Sequence, residues 1–168
     1  MRTPVFELHI LPLFRATDRE HMLFSLDLWD YDSVVARIDD LLARLGGSAD
    51  MPPASHGGSW PEEWVALLTR WKATGFKRLQ LGTAQYTYVA GTSTARISAA
   101  GNYPAAGFRG WLQLDSSSAT ERHYVLYFEA PDVAAAGAGQ AFALRESYPL
   151  PDASVVFIRD STGIHQLN

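Results

Sequence analysis

Asp18, Glu20 and His21 fall within one four-residue stretch. Carboxylates and an imidazole are groups that exchange protons near neutral pH. With Tyr103 and Arg109 from later in the chain, they are candidates for general acid-base work, as in a small enzyme. His123 and His165 form a second set. Each falls in a stretch that reads as a β-strand, and two neutral imidazoles on paired strands are common ligands for Zn, Cu and Fe. The sequence offers them no third ligand. His9 stands among apolar residues, as a core histidine does, and His56 sits in a Gly-rich loop, as an exposed one does. Asp39 and Asp40 are adjacent on a helical stretch and point about 100° apart, so they read as a solvated face and not as a pair sharing a proton.

Several chemistries lack their residues. The chain has no Cys, which removes disulfides, thiolate metal sites and a Cys nucleophile. There is no G-x-x-x-x-G-K-[ST], no dinucleotide fingerprint, no H-E-x-x-H and no G-x-S-x-G, so the common phosphate, nicotinamide, zinc-protease and hydrolase readings have no motif.

The residues that would position these groups start with the stretch from Met51 to Gly75. Ser59 and Glu62 stand in the S-x-x-E relation of a capping box, and Pro61 suits a first helical turn. Trp64, Leu67, Leu68 and Trp71 then recur on one helical face, and Gly75 suits the left-handed residue that ends a helix. A Trp face with leucines between reads as core, while Trp60 at the helix start is placed to line a groove.

This stretch carries a resemblance. Met51-Pro52-Pro53, a short polar loop and a helix with an acidic first turn, leucines and a late Trp look like the end of a class I c-type cytochrome domain. Upstream, Phe14-Arg15-Ala16-Thr17-Asp18-Arg19-Glu20-His21 lies over that family's F-x-x-C-x-x-C-H. Thr17 and Glu20 occupy the cysteine positions, and His21 matches the histidine. The first 75 or so residues thus resemble a cytochrome c-like domain without its haem-attaching cysteines. In the family the Met is a haem ligand and the last helix covers the haem. Here covalent attachment is impossible, and the separation from His21 to Met51 is short for the family. The resemblance implies a cytochrome-like helical scaffold that has lost its cofactor, with a turn around His21 where the haem loop would be. The alternative is a non-covalent haem held between His21 and Met51 and lined by Trp64 and Leu68.

Around this segment the pattern is clear. Val5 to Phe14 reads as a first helix limited by Pro12, and residues 22–29 as a buried extended connector or short strand. Asp30 or Asp32 is placed to cap a helix bearing Val34, Val35, Ile38, Leu41, Leu42 and Leu45, which Gly46-Gly47 stops. After Gly75 the texture changes to short runs rich in β-branched and aromatic residues at 78–82, 86–90, 92–99, 108–115, 122–129, 141–147 and 155–159. A hairpin signal at Asp160-Ser161-Thr162-Gly163 leads into 164–167. The expected fold is α+β: a helical domain at 1–78 packed on an antiparallel β domain, sandwich or barrel, at 79–168.

Composition sets the outer bounds. An apolar content of 47% over 168 residues is ample for a packed core. The net charge of −4 without a basic block argues against nucleic acid as a partner, and no apolar run approaches the length of a membrane span. A cytoplasmic protein is the default. The leading expectation for function is a non-catalytic accessory or protein-binding module without a cofactor, presenting an aromatic surface to another protein, with an oxidoreductase suggested as partner by the resemblance alone. Homo-oligomerisation stays open. The alternatives are the haem-binding electron carrier and a small enzyme with a pocket between the two halves.

Overall fold

Helical periodicity at Val34, Ile38 and Leu41 and strand alternation after Leu79 yield a helical N-terminal part and a strand-rich C-terminal part. The computed structural model describes residues 2–46, 58–149 and 155–168. Met51 and His56, together with the Met-Pro-Pro segment of the haem reading, lie outside the described residues. Residues up to Arg78 form one compact unit and residues from Leu79 onward a second. No helix among the described residues is long and apolar enough to cross a membrane.

In the helical unit the first apolar run is not one regular helix. It forms a π-helical turn, Phe6–Ile10, followed by a 3-10 turn, Leu11–Leu13, with Pro12 in its first turn. Helix α1 spans Ala16–Met22, so His21 lies on a helix and not in a turn. The local reason is Asp18, which accepts the backbone N–H of Arg15 at 3.1 Å and both arms of its guanidinium at 2.9 Å, holding the first turn closed. Residues 23–30 form turns and irregular backbone, so the connector is not a strand. Asp30 caps α2, Tyr31–Ala36, by accepting from the Ser33 amide at 2.8 Å. The expected single helix then breaks at Arg37 (φ −117°, ψ 14°) before α3, Ile38–Leu45.

Helix α4, Glu62–Ala73, begins later than the Ser59–Glu62 box requires. Such a box would make Trp60 the first helical residue, but a residue before proline is driven to extended backbone. Pro61 itself takes the cap position at ψ 144°, with no side-chain cap. At the other end Gly75 is left-handed as its position suggested (φ 86°), and Phe76 follows it into the same region (φ 58°). This double reversal brings the Lys77 carbonyl back to accept from the Phe6 amide at 2.9 Å and from the Trp71 indole N–H at 2.8 Å. Lys72 of α4 pairs with Asp39 of α3, and Arg37 with Asp40, so the two adjacent carboxylates serve separate partners.

The described residues of the second unit form eight strands: β1 Gln80–Leu81, β2 Gln85–Ala90, β3 Thr94–Asn102, β4 Arg109–Ser117, β5 Glu121–Glu129, β6 Ala141–Pro149, β7 Val155–Asp160 and β8 Gly163–Leu167. They form two separate sheets, so the closed barrel is not found. One sheet joins β4, β5, β7 and β8 side by side, with β1 on the far half of β5, and the other is β2-β3-β6. All pairings are antiparallel except β5 with β7. A single apolar core draws Ile97 and Phe142 from one sheet and Leu112, Leu126, Phe128 and Ile158 from the other.

Two glycines make room in that core. A Cβ at Gly82 would lie 2.6 Å from the Phe128 ring and 2.8 Å from Leu126, and one at Gly110 would lie 2.8 Å from the same ring. Phe128 is 3% exposed and flanked by Tyr103 and Phe142, so it has nowhere to swing. Gly110→Ala is expected to cost about 1–3 kcal/mol through overpacking, read as a lowered urea midpoint. An unchanged midpoint would mean that the ring has room to move.

Candidate functional site: an apolar groove on the helical unit

A cavity of about 530 Å³ opens on the helical unit, between α1, the turns that follow it, α2–α3 and the start of α4. Buried Phe14, Leu26, Leu28, Leu41 and Trp60 form its floor, and Met22 and Leu45 its sides. Trp60 is fixed by Phe14 and Trp64, with ring centroids at 5.4 and 5.6 Å. The rim is mixed: Asp18 and His21 from α1, Arg37 at the α2–α3 break, Asp40 and Arg44 from α3, and Phe24 from the turn after α1.

The wall that carries Phe24 is braced by charge. Arg19 grips Asp27 through two hydrogen bonds of 2.6 and 2.7 Å, and Asp27 also accepts from the Trp29 amide at 3.0 Å. The Arg19 guanidinium lies 4.7 Å from the centre of the Trp29 ring, and the Trp29 indole donates to the Phe14 carbonyl at 3.3 Å. The hydrogen bonds from Arg19 and Trp29 outweigh desolvation and hold the Asp27 carboxyl down to about 2. This brace therefore persists across the neutral range and would weaken only in strong acid.

The acid-base candidates do not converge there as a catalytic set. Asp18 and His21 share the rim, but Asp18 is committed to Arg15 and the first turn of its helix. The His21 Nδ1–H donates to the Thr17 carbonyl at 2.6 Å. Glu20 does not line the groove. Tyr103 and Arg109 belong to the second unit. There Tyr103 packs against Phe128 and Phe142 at 5.1 and 4.7 Å, and Arg109 lies 3.8 Å from buried Glu129.

Trp64 and Leu68, expected to line a haem cavity, do not line this one. Leu68 is fully buried in the helical core, and Trp60, one turn earlier, takes the lining position. The two strand histidines are also kept apart. β5 and β8 flank β7, with His123 opposite Phe157 and His165 opposite Ile158. Neighbouring residues on a strand face opposite sides, so the imidazoles lie on opposite faces of the sheet. His123 stacks on Phe157 at 4.8 Å. Among the described residues no group of three His, Asp or Glu side chains is placed to hold a metal.

The sequence reading missed a densely bonded polar group, Asp160, whose side chain is fully buried at the end of β7. It accepts from the Tyr86 hydroxyl, the Thr162 amide and the Thr162 hydroxyl, each at 2.7 Å, and lies 3.0 Å from His165 Nε2. Burial alone would push its carboxyl up, but these four partners hold it down to about 2. Burial and the neighbouring carboxylate push the Tyr86 phenol up. An Asp, a His and a Thr invite a nucleophilic reading. Such a triad needs the imidazole to bridge, with one nitrogen on the Asp and the other on the hydroxyl. Here both Asp160 and the Thr162 hydroxyl approach the same nitrogen, Nε2, at 3.0 Å, so the geometry is that of a locked hairpin turn. Asp-x-Thr at a two-residue turn was the local signal for it.

The aromatic surface expected of the protein is not made by the tyrosines of the second unit, which mostly face its core. Tyr124 and Tyr148 are buried, and Tyr86, Tyr88 and Tyr103 pack against the same cluster. The aromatic side chains most exposed are Phe24 and Trp29, at 88% and 45%, both on the helical unit, where Leu23 is 53% exposed. No family model, no curated protein and no solved structure matches the chain.

Proposed function

We propose that the protein is a non-catalytic binding module whose helical unit takes an apolar segment of another protein into the groove below Phe24. The observation that carries this reading is the 88% exposure of Phe24 at the lip of an apolar cavity. A phenyl ring left in water beside a preformed apolar groove, on a wall braced by Arg19 and Asp27, matches the anchor of a protein contact. The committed rim carboxylates favour binding over proton transfer. The second unit is read as a sandwich of its two sheets, on the strength of the core they share and of the Tyr86–Asp160 bond between them, and as the scaffold of the module. A redox enzyme as partner rests on the cytochrome resemblance alone.

A photoreactive phenylalanine analogue at position 24 is expected to crosslink one defined polypeptide in cell extract. Leu41→Asp, which charges the groove floor, should abolish the adduct while the analogue stays in place. Phe24→Ala should weaken binding of the identified partner about tenfold or more. Equal crosslinking from an analogue at Val89, on the second unit, would sink the reading.

A second reading is favoured by one observation, that His21 lines the same apolar cavity. Its Nδ1–H is held by a backbone carbonyl, as in histidines that ligate metals, and the cytochrome resemblance supplies the haem. Added haemin is expected to give a sharp low-spin Soret band that His21→Ala and Met51→Ala both abolish. The broad band of free pigment in all three proteins would dismiss it.

A further inference from the structure

The outward face of the β2-β3-β6 sheet carries an unusual charge arrangement for an acidic chain. Alternation turns Ala95, Ile97 and Ala99 of β3 inward, leaving Arg96 and Ser98 on the outer face. Register sets Arg96 opposite Ser147 and Ser98 opposite Arg145, with Thr87 of β2 beside Ser98. Arg96 and Arg145 therefore occupy one diagonal of a four-residue cell, with backbone positions roughly 7–8 Å apart, and Ser98 and Ser147 occupy the other. Both arginines are exposed, and neither takes part in an ion pair among the described residues. The only carboxylate of these three strands is Glu146, which sits opposite Ile97 of the core-facing set. At the Arg96 corner a cavity of about 350 Å³ opens beside the β2–β3 turn, lined by Val89, Gly91 and Ala95 and by the hydroxyl-bearing Thr92, Ser93, Thr94 and Ser147 together with Arg96. It holds one cation and many hydrogen-bond donors, with no carboxylate among its described lining.

We propose that this face binds a tetrahedral dianion, the phosphate or sulfate ester group of a ligand, held by Arg96 and Arg145 with the hydroxyls of Ser98 and Ser147 between them. A carboxylate would be satisfied by one guanidinium, since its two coplanar oxygens match a single fork. Two forks on a diagonal with hydroxyls in the gap suit a group whose oxygens point to several sides. Arg96 and Arg145 are exposed beside the small Ser98, Ala100, Ala143 and Ser147 and, on β2, Val89, so the ester's remaining body can stay in solvent. This site is on the second unit and does not depend on the groove.

The test is an NMR titration of the full chain, following the arginine Nε–H signals at constant ionic strength, with inorganic phosphate and sulfate as separate probes and chloride as the control. Saturable shifts at two arginine signals are expected with one or both dianions and not with chloride. Saturation by phosphate alone assigns a phosphate ester, by sulfate alone a sulfate ester, and by both the shared chemistry. Arg96→Gln and Arg145→Gln should each weaken binding about tenfold, as loss of hydrogen bonds to a charged group predicts. Arg96→Lys, which keeps the charge but not the fork, should fall between. Both sites are exposed, so the variants should keep the wild-type circular dichroism spectrum. Shifts that rise linearly with both dianions, match those with chloride, or survive both substitutions would overturn the proposal.

Discussion

Asp160→Ala is expected to lower the stability of the β-rich unit by about 3 kcal/mol, because hydrogen bonds to a buried charge are each worth roughly 1.5–3 kcal/mol and the donors left behind lose their acceptor. The carboxylate is buried, and it joins β2, through Tyr86, to the β7–β8 turn, through Thr162. Tyr86→Phe removes one of those bonds and should cost about half as much. Hydrogen exchange is the suitable readout. Amides of 155–168 and 85–90 should exchange together and faster in Asp160→Ala, while those of the helical unit should not change. Unaltered protection of both segments would mean that the network is ornamental. The same carboxylate sets an acid limit. Its folded value of about 2 lies below the ordinary Asp value of 3.8, so its stabilisation is fully present above pH 4 and is lost as pH falls through about 2. The linked free energy is about 2 kcal/mol. The acid unfolding limb between pH 4 and 2 should be shallower in Asp160→Asn.

Trp71→Ala should be the most damaging single truncation in the helical unit, at about 3–5 kcal/mol. The side chain has no exposure and meets the rings of Phe6, Tyr31 and Phe76 at 5.5, 5.9 and 5.0 Å. Its indole N–H also donates to the Lys77 carbonyl that receives the Phe6 amide, so the residue ties the end of α4 to the start of the chain. Trp71→Phe keeps most of the volume but loses the donor, and should cost roughly 1–2 kcal/mol beyond the smaller ring's lost packing. Four of the five tryptophans, at 29, 60, 64 and 71, lie before residue 79, so urea unfolding followed by indole fluorescence reports mainly on this unit. Equal midpoints for the wild type and Trp71→Ala would refute the assignment of Trp71 as its central packing residue.

Much of this protein was legible in the order of its residues. The eight strands were marked by local alternation and β-branched or aromatic runs, and each appears within a few residues of its expected place. The end of α4 was marked by Gly75, the cap of α2 by Asp30 and the last hairpin by Asp160 to Gly163. These signals are short-range: a left-handed glycine, an Asp three residues before an amide, or a period of two needs only neighbours along the chain. Where local signals competed, the sequence misled. Pro61 overrode the Ser59–Glu62 box by taking the cap position itself, and Asp18 closed a helical turn around His21 that the cytochrome resemblance rendered as a loop.

What the tertiary structure decided depends on partners far apart in sequence. Tyr86 reaches Asp160 across 74 residues, and nothing near either residue announces the bond. His123 and His165 are each plausible strand histidines, and only the register through β7 puts them on opposite faces. The same kind of register sets Arg96 and Arg145 on one diagonal. The groove is a matter of which apolar residues fail to meet. Trp60 was placed in sequence to line a groove, but nothing local sets Phe14, Leu26 and Leu41 apart from core, and it took the packing of α1, α3 and the start of α4 to leave a cavity above them with Phe24 at its lip. The sequence by itself determined where the strands and most of the helix ends and turns fall, because those preferences are local. The packed structure decided which side chains meet and which stay open, because register and helix crossing are properties of the whole chain.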